Sequence, residues 1–114
     1  MKALILAFGI ALTATPALAQ TIPPGDAKKH VGQTVTVEGT VSDVHTVVSG
    51  TTFIDMGGRY PDSIFTVVIF ADDASKFPDV DSLDGKIVDI TGPVRLYKGR
   101  PEIILKSADQ IKVK

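Results

Sequence analysis

Between Thr34 and Val41 the chain reads Thr-Val-Thr-Val-Glu-Gly-Thr-Val, with valine returning at every second position except one. A period of two suits a pleated strand, whose successive side chains point to opposite faces, and not a helix of 3.6 residues per turn. This segment therefore needs a sheet with one buried face. Gly39 takes the remaining apolar-face position, where a missing side chain predicts a bend or bulge. The strand is expected to run on through Val44 to Thr46 before Val47-Val-Ser-Gly50 turns it back.

The same signals continue downstream. Thr51 to Met56 reads as a second strand, Gly57 to Asp62 as a loop, and Ile64 to Phe70 as a third strand. The third is almost wholly apolar, which predicts a central position covered on both faces. Ala71 to Phe77 is expected to form a short helix, with Asp72 or Asp73 near its positive end and Pro78 as its stop. Lys86 to Val94 is a fourth strand, with Asp89 and Thr91 outward. A tight hairpin at Tyr97-Lys-Gly99 leads into a fifth from Pro101 to Lys106, and Gln110 to Lys114 forms an edge segment. Upstream, Thr21 to Gly25 is extended, and Asp26 to His30 makes one helical turn with Asp26 as N-cap and Gly32 as its close. The expected fold is all-β: a small five-stranded Greek-key barrel with a short helix between strands three and four. Closure would remove edges that valine-rich strands otherwise expose. An open two-sheet sandwich is the alternative.

Met1 to Ala19 has the features of a secretory signal peptide: Lys2, an apolar run from Ala3 to Leu12, and Ala17-Leu-Ala19 before Gln20. The run is shorter than the roughly 20 residues a membrane span requires. Residues 20–114 are then expected to form a single periplasmic or secreted domain with no membrane span. With no cysteine, that domain depends on a compact apolar core, with oligomerisation as the further source of stability open to it. Without Lys2 it carries 11 basic and 13 acidic residues, a balance of −2 that gives no global attraction to nucleic acid.

Val31 to Val41, Phe53-Ile-Asp-Met-Gly57, Tyr60-Pro61, Phe65 to Phe70, Leu83 to Gly92 and Tyr97 to Ile103 together resemble bacterial OB-fold domains of the nucleic-acid-binding superfamily. The resemblance spans about Ala27 to Val113. It implies binding across the second and third strands, flanked by the loop between strands one and two and the loop between four and five. It does not specify a ligand, because one fold hosts many functions.

Candidate ligand-binding residues are Arg59, Tyr60, Arg95, Tyr97, Lys98 and Arg100. Their cations suit phosphates and their tyrosines suit stacking on bases. Phe53 and Phe65 read as core residues. His30 and His45 lack zinc-ligand spacing, and the aspartates from Asp72 to Asp84 lack that of a calcium loop, so no metal or cofactor is expected. No nucleophile elbow accompanies the serines, and Glu38 with Asp55, neighbours only if their strands pair, gives no reason for a shifted carboxylate. The expectation is a non-catalytic exported binding module, its partner an oligonucleotide. The alternative is an envelope protein-interaction or structural module, with Gln110 to Lys114 accepting a partner strand unless Lys112 and Lys114 protect that edge.

Overall fold

The computed structural model describes residues 19–114; the proposed leader, Met1 to Ala19, lies almost wholly outside the described residues. The fold is all-β and OB-like. Among the described residues eight strands run in chain order: β1 (Gln20–Ile22), β2 (Thr34–Thr46), β3 (Thr52–Met56), β4 (Phe65–Ile69), β5 (Ile87–Pro93), β6 (Arg95–Tyr97), β7 (Arg100–Ile104) and β8 (Ile111–Val113). Their hydrogen-bonded order is β6-β7-β4-β3-β2-β5-β8, with β1 parallel to β2. Among the described residues no helix is long and apolar enough to cross a membrane.

Four expectations need correction. Among the described residues the strand count is eight rather than five: β1 and β6 are three-residue strands too short to carry a periodic pattern, and β8 is the edge segment expected at Gln110 to Lys114. The ladder order is open, so the five-stranded closed barrel does not hold. Its end strands are β6 and β8, which do not pair with each other, and β6 follows β5 through the single residue Val94. The helix between the third and fourth long strands is two 3-10 segments, Ala71–Lys76 and Val80–Leu83, of which only Leu83 is buried. With so little apolar surface turned inward, nothing sustains a longer α-helix there. The N-terminal turn is likewise 3-10, Pro24–His30, entered from Pro23 rather than capped by the Asp26 side chain.

The strand β2 serves two halves of the sheet. Thr34 to Thr40 pairs with β5, and Val41 to Thr46 pairs with β3. The register shifts between Val41 and Asp43, leaving Ser42 as the extra residue of a bulge. Before the bulge the inward residues are odd-numbered: Val35, Val37 and Val41, each at most 1% exposed. After it Val44 packs on the core, so Asp43 and His45 turn outward. Gly39, where the bend was expected, instead makes room. A Cβ there would sit 2.6 Å from Pro24 Cγ and 3.2 Å from Met56 Sδ. The core is completed by Ile54, Met56, Phe65, Val67, Ile69, Val88, Ile90, Ile103 and Leu105.

No ladder joins β5 to β7, and a side chain does the work there. Gln110 Nε2 donates to the carbonyls of Thr91 on β5 (3.0 Å) and Ile104 on β7 (3.1 Å). Its Oε1 accepts from the N–H groups of Lys106 (2.7 Å) and Ser107 (3.0 Å). Gly92 permits this close approach: a Cβ there would meet Ile103 Cγ2 at 2.8 Å and Gln110 Nε2 at 3.1 Å.

Candidate binding cleft

Opposite the core, the outer face of β2, β3, β4, β7 and β6 carries one continuous row of polar side chains. Asp43 pairs across the ladder with Asp55, Asp55 with Thr66, Thr66 with Glu102, and Glu102 with Arg95. Asp55 and Thr66 are outward positions because their strand neighbours Ile54, Met56, Phe65 and Val67 fill the core. Thr66 Oγ1 donates to Asp55 Oδ1 at 3.1 Å, and Arg95 Nε donates to Glu102 Oε2 at 2.6 Å. Asp55 and Glu102 are buried despite facing outward, at 1% and 6% exposure. A neighbouring position carries His45 opposite Phe53, their rings stacked with centroids 5.4 Å apart.

This face floors a cleft of about 350 Å³. Its walls come from His45, Val47, Phe53, Tyr60, Tyr97, Lys98, Arg100 and Pro101, with Asp55, Thr66 and Glu102 below. The Tyr97 hairpin turns at Lys98 and Gly99, both with positive φ (52° and 78°). That is the geometry of a two-residue primed turn between twisted strands. It brings Lys98 Nζ to 5.4 Å and Arg95 Cζ to 6.0 Å from the Tyr97 ring centroid. Arg100 Cζ lies 5.5 Å from the Tyr60 ring centroid, and its Nη2 donates to the Pro61 carbonyl.

Of the six residues singled out from the sequence, Tyr60, Tyr97, Lys98 and Arg100 line one cleft, contributed by two different loops. Arg95 adjoins it, with its guanidinium engaged by Glu102. Arg59 is exposed and does not line it. Phe53 is a correction: it is half-buried on the cleft side, whereas Phe65 is core at 1% exposure. The pairing imagined between Glu38 and Asp55 is also wrong. Glu38 lies opposite Asp89 on β5, where Lys114 reaches both carboxylates at 3.9 and 3.5 Å. Asp43, His45, Asp55, Thr66 and Glu102 were missed. The signal was present: core valines fall at 35, 37, 41 and then 44, and that three-residue step marks the change of face.

No protein-family model and no curated protein matches the chain. Solved structures match its fold. A chain described as an aspartyl-tRNA synthetase from Leishmania major Friedlin is similar with a TM-score of 0.57 and 16% identity, over 94% of this chain and 23% of that one. An aspartyl-tRNA synthetase from Entamoeba histolytica gives 0.50 and 21%, over 75% and 19%. The present chain thus spans about a fifth to a quarter of either synthetase. An OBody bound to hen egg-white lysozyme is similar over 88% of this chain and 98% of its own, with a TM-score of 0.62 and 18% identity. At these identities the likeness is one of fold.

Proposed function

We propose that this protein is a non-catalytic, exported OB-fold module that binds single-stranded oligonucleotides in the cleft between the Tyr60 loop and the Tyr97 hairpin. The observation that carries the reading is the pair of exposed tyrosines lining one cleft, at 69% and 53% exposure, each with a cation over its ring. Bases stack on Tyr60 and Tyr97 while Lys98 and Arg100 meet phosphates. Arg95 holds Glu102 and positions the hairpin, and Arg59 extends the basic rim. The leader read from Met1 to Ala19 supports a periplasmic or secreted location. The synthetase fold neighbours make a nucleic-acid ligand the first to test.

Fluorescence anisotropy with a labelled oligothymidylate tests it. Two phosphate contacts on a single strand give a salt slope of about −1.4, so raising salt fourfold weakens binding about sevenfold. Absence of binding at low salt refutes the reading. The second reading, an envelope protein-interaction module, draws on the OBody, which this chain almost fully spans and which binds a protein. Specific capture of an envelope protein that deletion of the Tyr97 hairpin abolishes supports it.

A further inference from the structure

The outer row contains an arrangement that costs stability unless something neutralises it. Asp43 and Asp55 are direct cross-strand partners, and like charges placed opposite one another destabilise a sheet. Asp55 is also buried at 1% exposure, and its Oδ2 has no hydrogen-bond partner. A buried carboxylate oxygen left unpaired carries a desolvation penalty that native proteins normally relieve. The Oδ1 atom is already held by Thr66, which fixes the carboxylate so that its free oxygen faces His45.

We propose that Asp43, His45 and Asp55 form a divalent transition-metal site, with zinc the ion that fits best. One donor atom from each residue lies within 4.8 Å of the other two. His45 Nδ1 lies 3.1 Å from Asp43 Oδ2 and 3.7 Å from Asp55 Oδ2. Zinc bonds to nitrogen and oxygen are about 2.0–2.2 Å long, which puts two tetrahedral donors about 3.3–3.5 Å apart. The two distances to His45 Nδ1 straddle that range, and the two carboxylates, within 4.8 Å of each other, close onto the ion as it loads. One imidazole with two carboxylates is a mixed nitrogen and oxygen set, which favours zinc or its transition-metal neighbours over calcium or magnesium. Stacking on Phe53 holds the His45 ring in place. Three protein ligands leave a fourth position open toward the cleft, where water or an anionic group of a bound molecule completes the shell. The site's existence does not depend on what the cleft binds.

Titrating the purified chain with zinc sulfate by calorimetry, and with cobalt as a visible-absorption probe, tests the site. The expected result is one equivalent bound, tetrahedral cobalt bands, and a thermal midpoint raised by about 10 °C or more at zinc a hundredfold above Kd. His45→Gln and Asp43→Asn should each weaken binding at least tenfold, while His30→Gln, half-buried outside the cluster beside Gln33, leaves it unchanged. Asp55→Asn keeps an acceptor for Thr66 and removes the repulsion. It should abolish binding and raise the midpoint of the metal-free chain, so lost binding there is not lost folding. Absence of a one-equivalent site, or binding that His45→Gln leaves undiminished, overturns the proposal.

Discussion

Gln110 offers the sharpest test of how this sheet is held together. At the corner where β5 and β7 lack a ladder, its amide makes four hydrogen bonds: two donated to the carbonyls of Thr91 and Ile104, two accepted from Lys106 and Ser107. The amide orientation is fixed by its partners, since two N–H groups require the oxygen and two carbonyls require the nitrogen. In Gln110→Ala the N–H groups of the exposed Lys106 and Ser107 can turn to water at little cost. Thr91 and Ile104 are half-buried, so each carbonyl should cost about 1 kcal/mol. Losing the side chain's grip on the start of its own 3-10 turn adds about 0.5–1 kcal/mol. The total, about 2.5–3 kcal/mol, corresponds to a fall in thermal midpoint of roughly 10–20 °C for a domain of this size.

Gln110→Glu separates the seam from generic packing. The shape and the acceptor for Lys106 and Ser107 survive, but an oxygen replaces the nitrogen that faces two carbonyl oxygens at about 3 Å. The isosteric change should therefore destabilise at least as much as alanine. Urea titrations followed by far-ultraviolet circular dichroism at neutral pH would measure both, with unchanged m-values showing that the native state stays compact. A glutamate variant within 0.5 kcal/mol of wild type would refute the clamp.

Other perturbations bear on the remaining arguments. Gly39→Ala sets a methyl against Pro24 and Met56 and should cost about 1–3 kcal/mol in the same urea assay. Lys98→Gly relieves a left-handed φ of 52° and should raise stability by up to about 1 kcal/mol while weakening oligonucleotide binding, read by calorimetry and anisotropy in parallel. Tyr60→Ala and Tyr97→Ala should each weaken oligonucleotide binding by about 1–3 kcal/mol, and Arg59→Ala much less. Equimolar zinc should tighten oligonucleotide binding to the wild-type chain in anisotropy titrations and leave the His45→Gln variant unaffected.

Long strands that bury one face were legible because burial writes period two into the sequence, as Val35 and Val37 on β2 and Val88 and Ile90 on β5 show; β4, where Val68 is buried between Val67 and Ile69, was legible instead as an apolar run. The short strand β6 was not legible: Arg95-Leu-Tyr97 has every residue exposed and is held by its hairpin and by the Arg95–Glu102 pair. The basic and aromatic loop residues could be picked out by type, yet only coordinates tell that Arg100 reaches the Tyr60 ring and Arg59 does not line the cleft. The acidic row was hidden for another reason. Its members come from five strands, and adjacency across a ladder depends on register, which the spacing of the polar residues alone does not encode. Even so, the step from Val41 to Val44 was readable as a slip of one residue, and such a slip moves every later side chain to the other face.

That slip explains why this sheet has chemistry on its outer side. Without the extra residue at Ser42, Asp43 and His45 would share the inward face of Val35, Val37 and Val41, where two ionisable groups cannot be accommodated without partners. The bulge exchanges them for Val44, which packs on the core, and delivers them opposite Asp55 and Phe53. The polar row then runs Asp43, Asp55, Thr66, Glu102, Arg95, three carboxylates against one guanidinium. An anionic ligand settling over Lys98 and Arg100 would lie beside that surplus of negative charge. A divalent cation at Asp43, His45 and Asp55 brings the row to neutrality and adds an open coordination position on the cleft side. The same bulge that protects the core thus makes anion binding in this cleft a question of what occupies its acidic end.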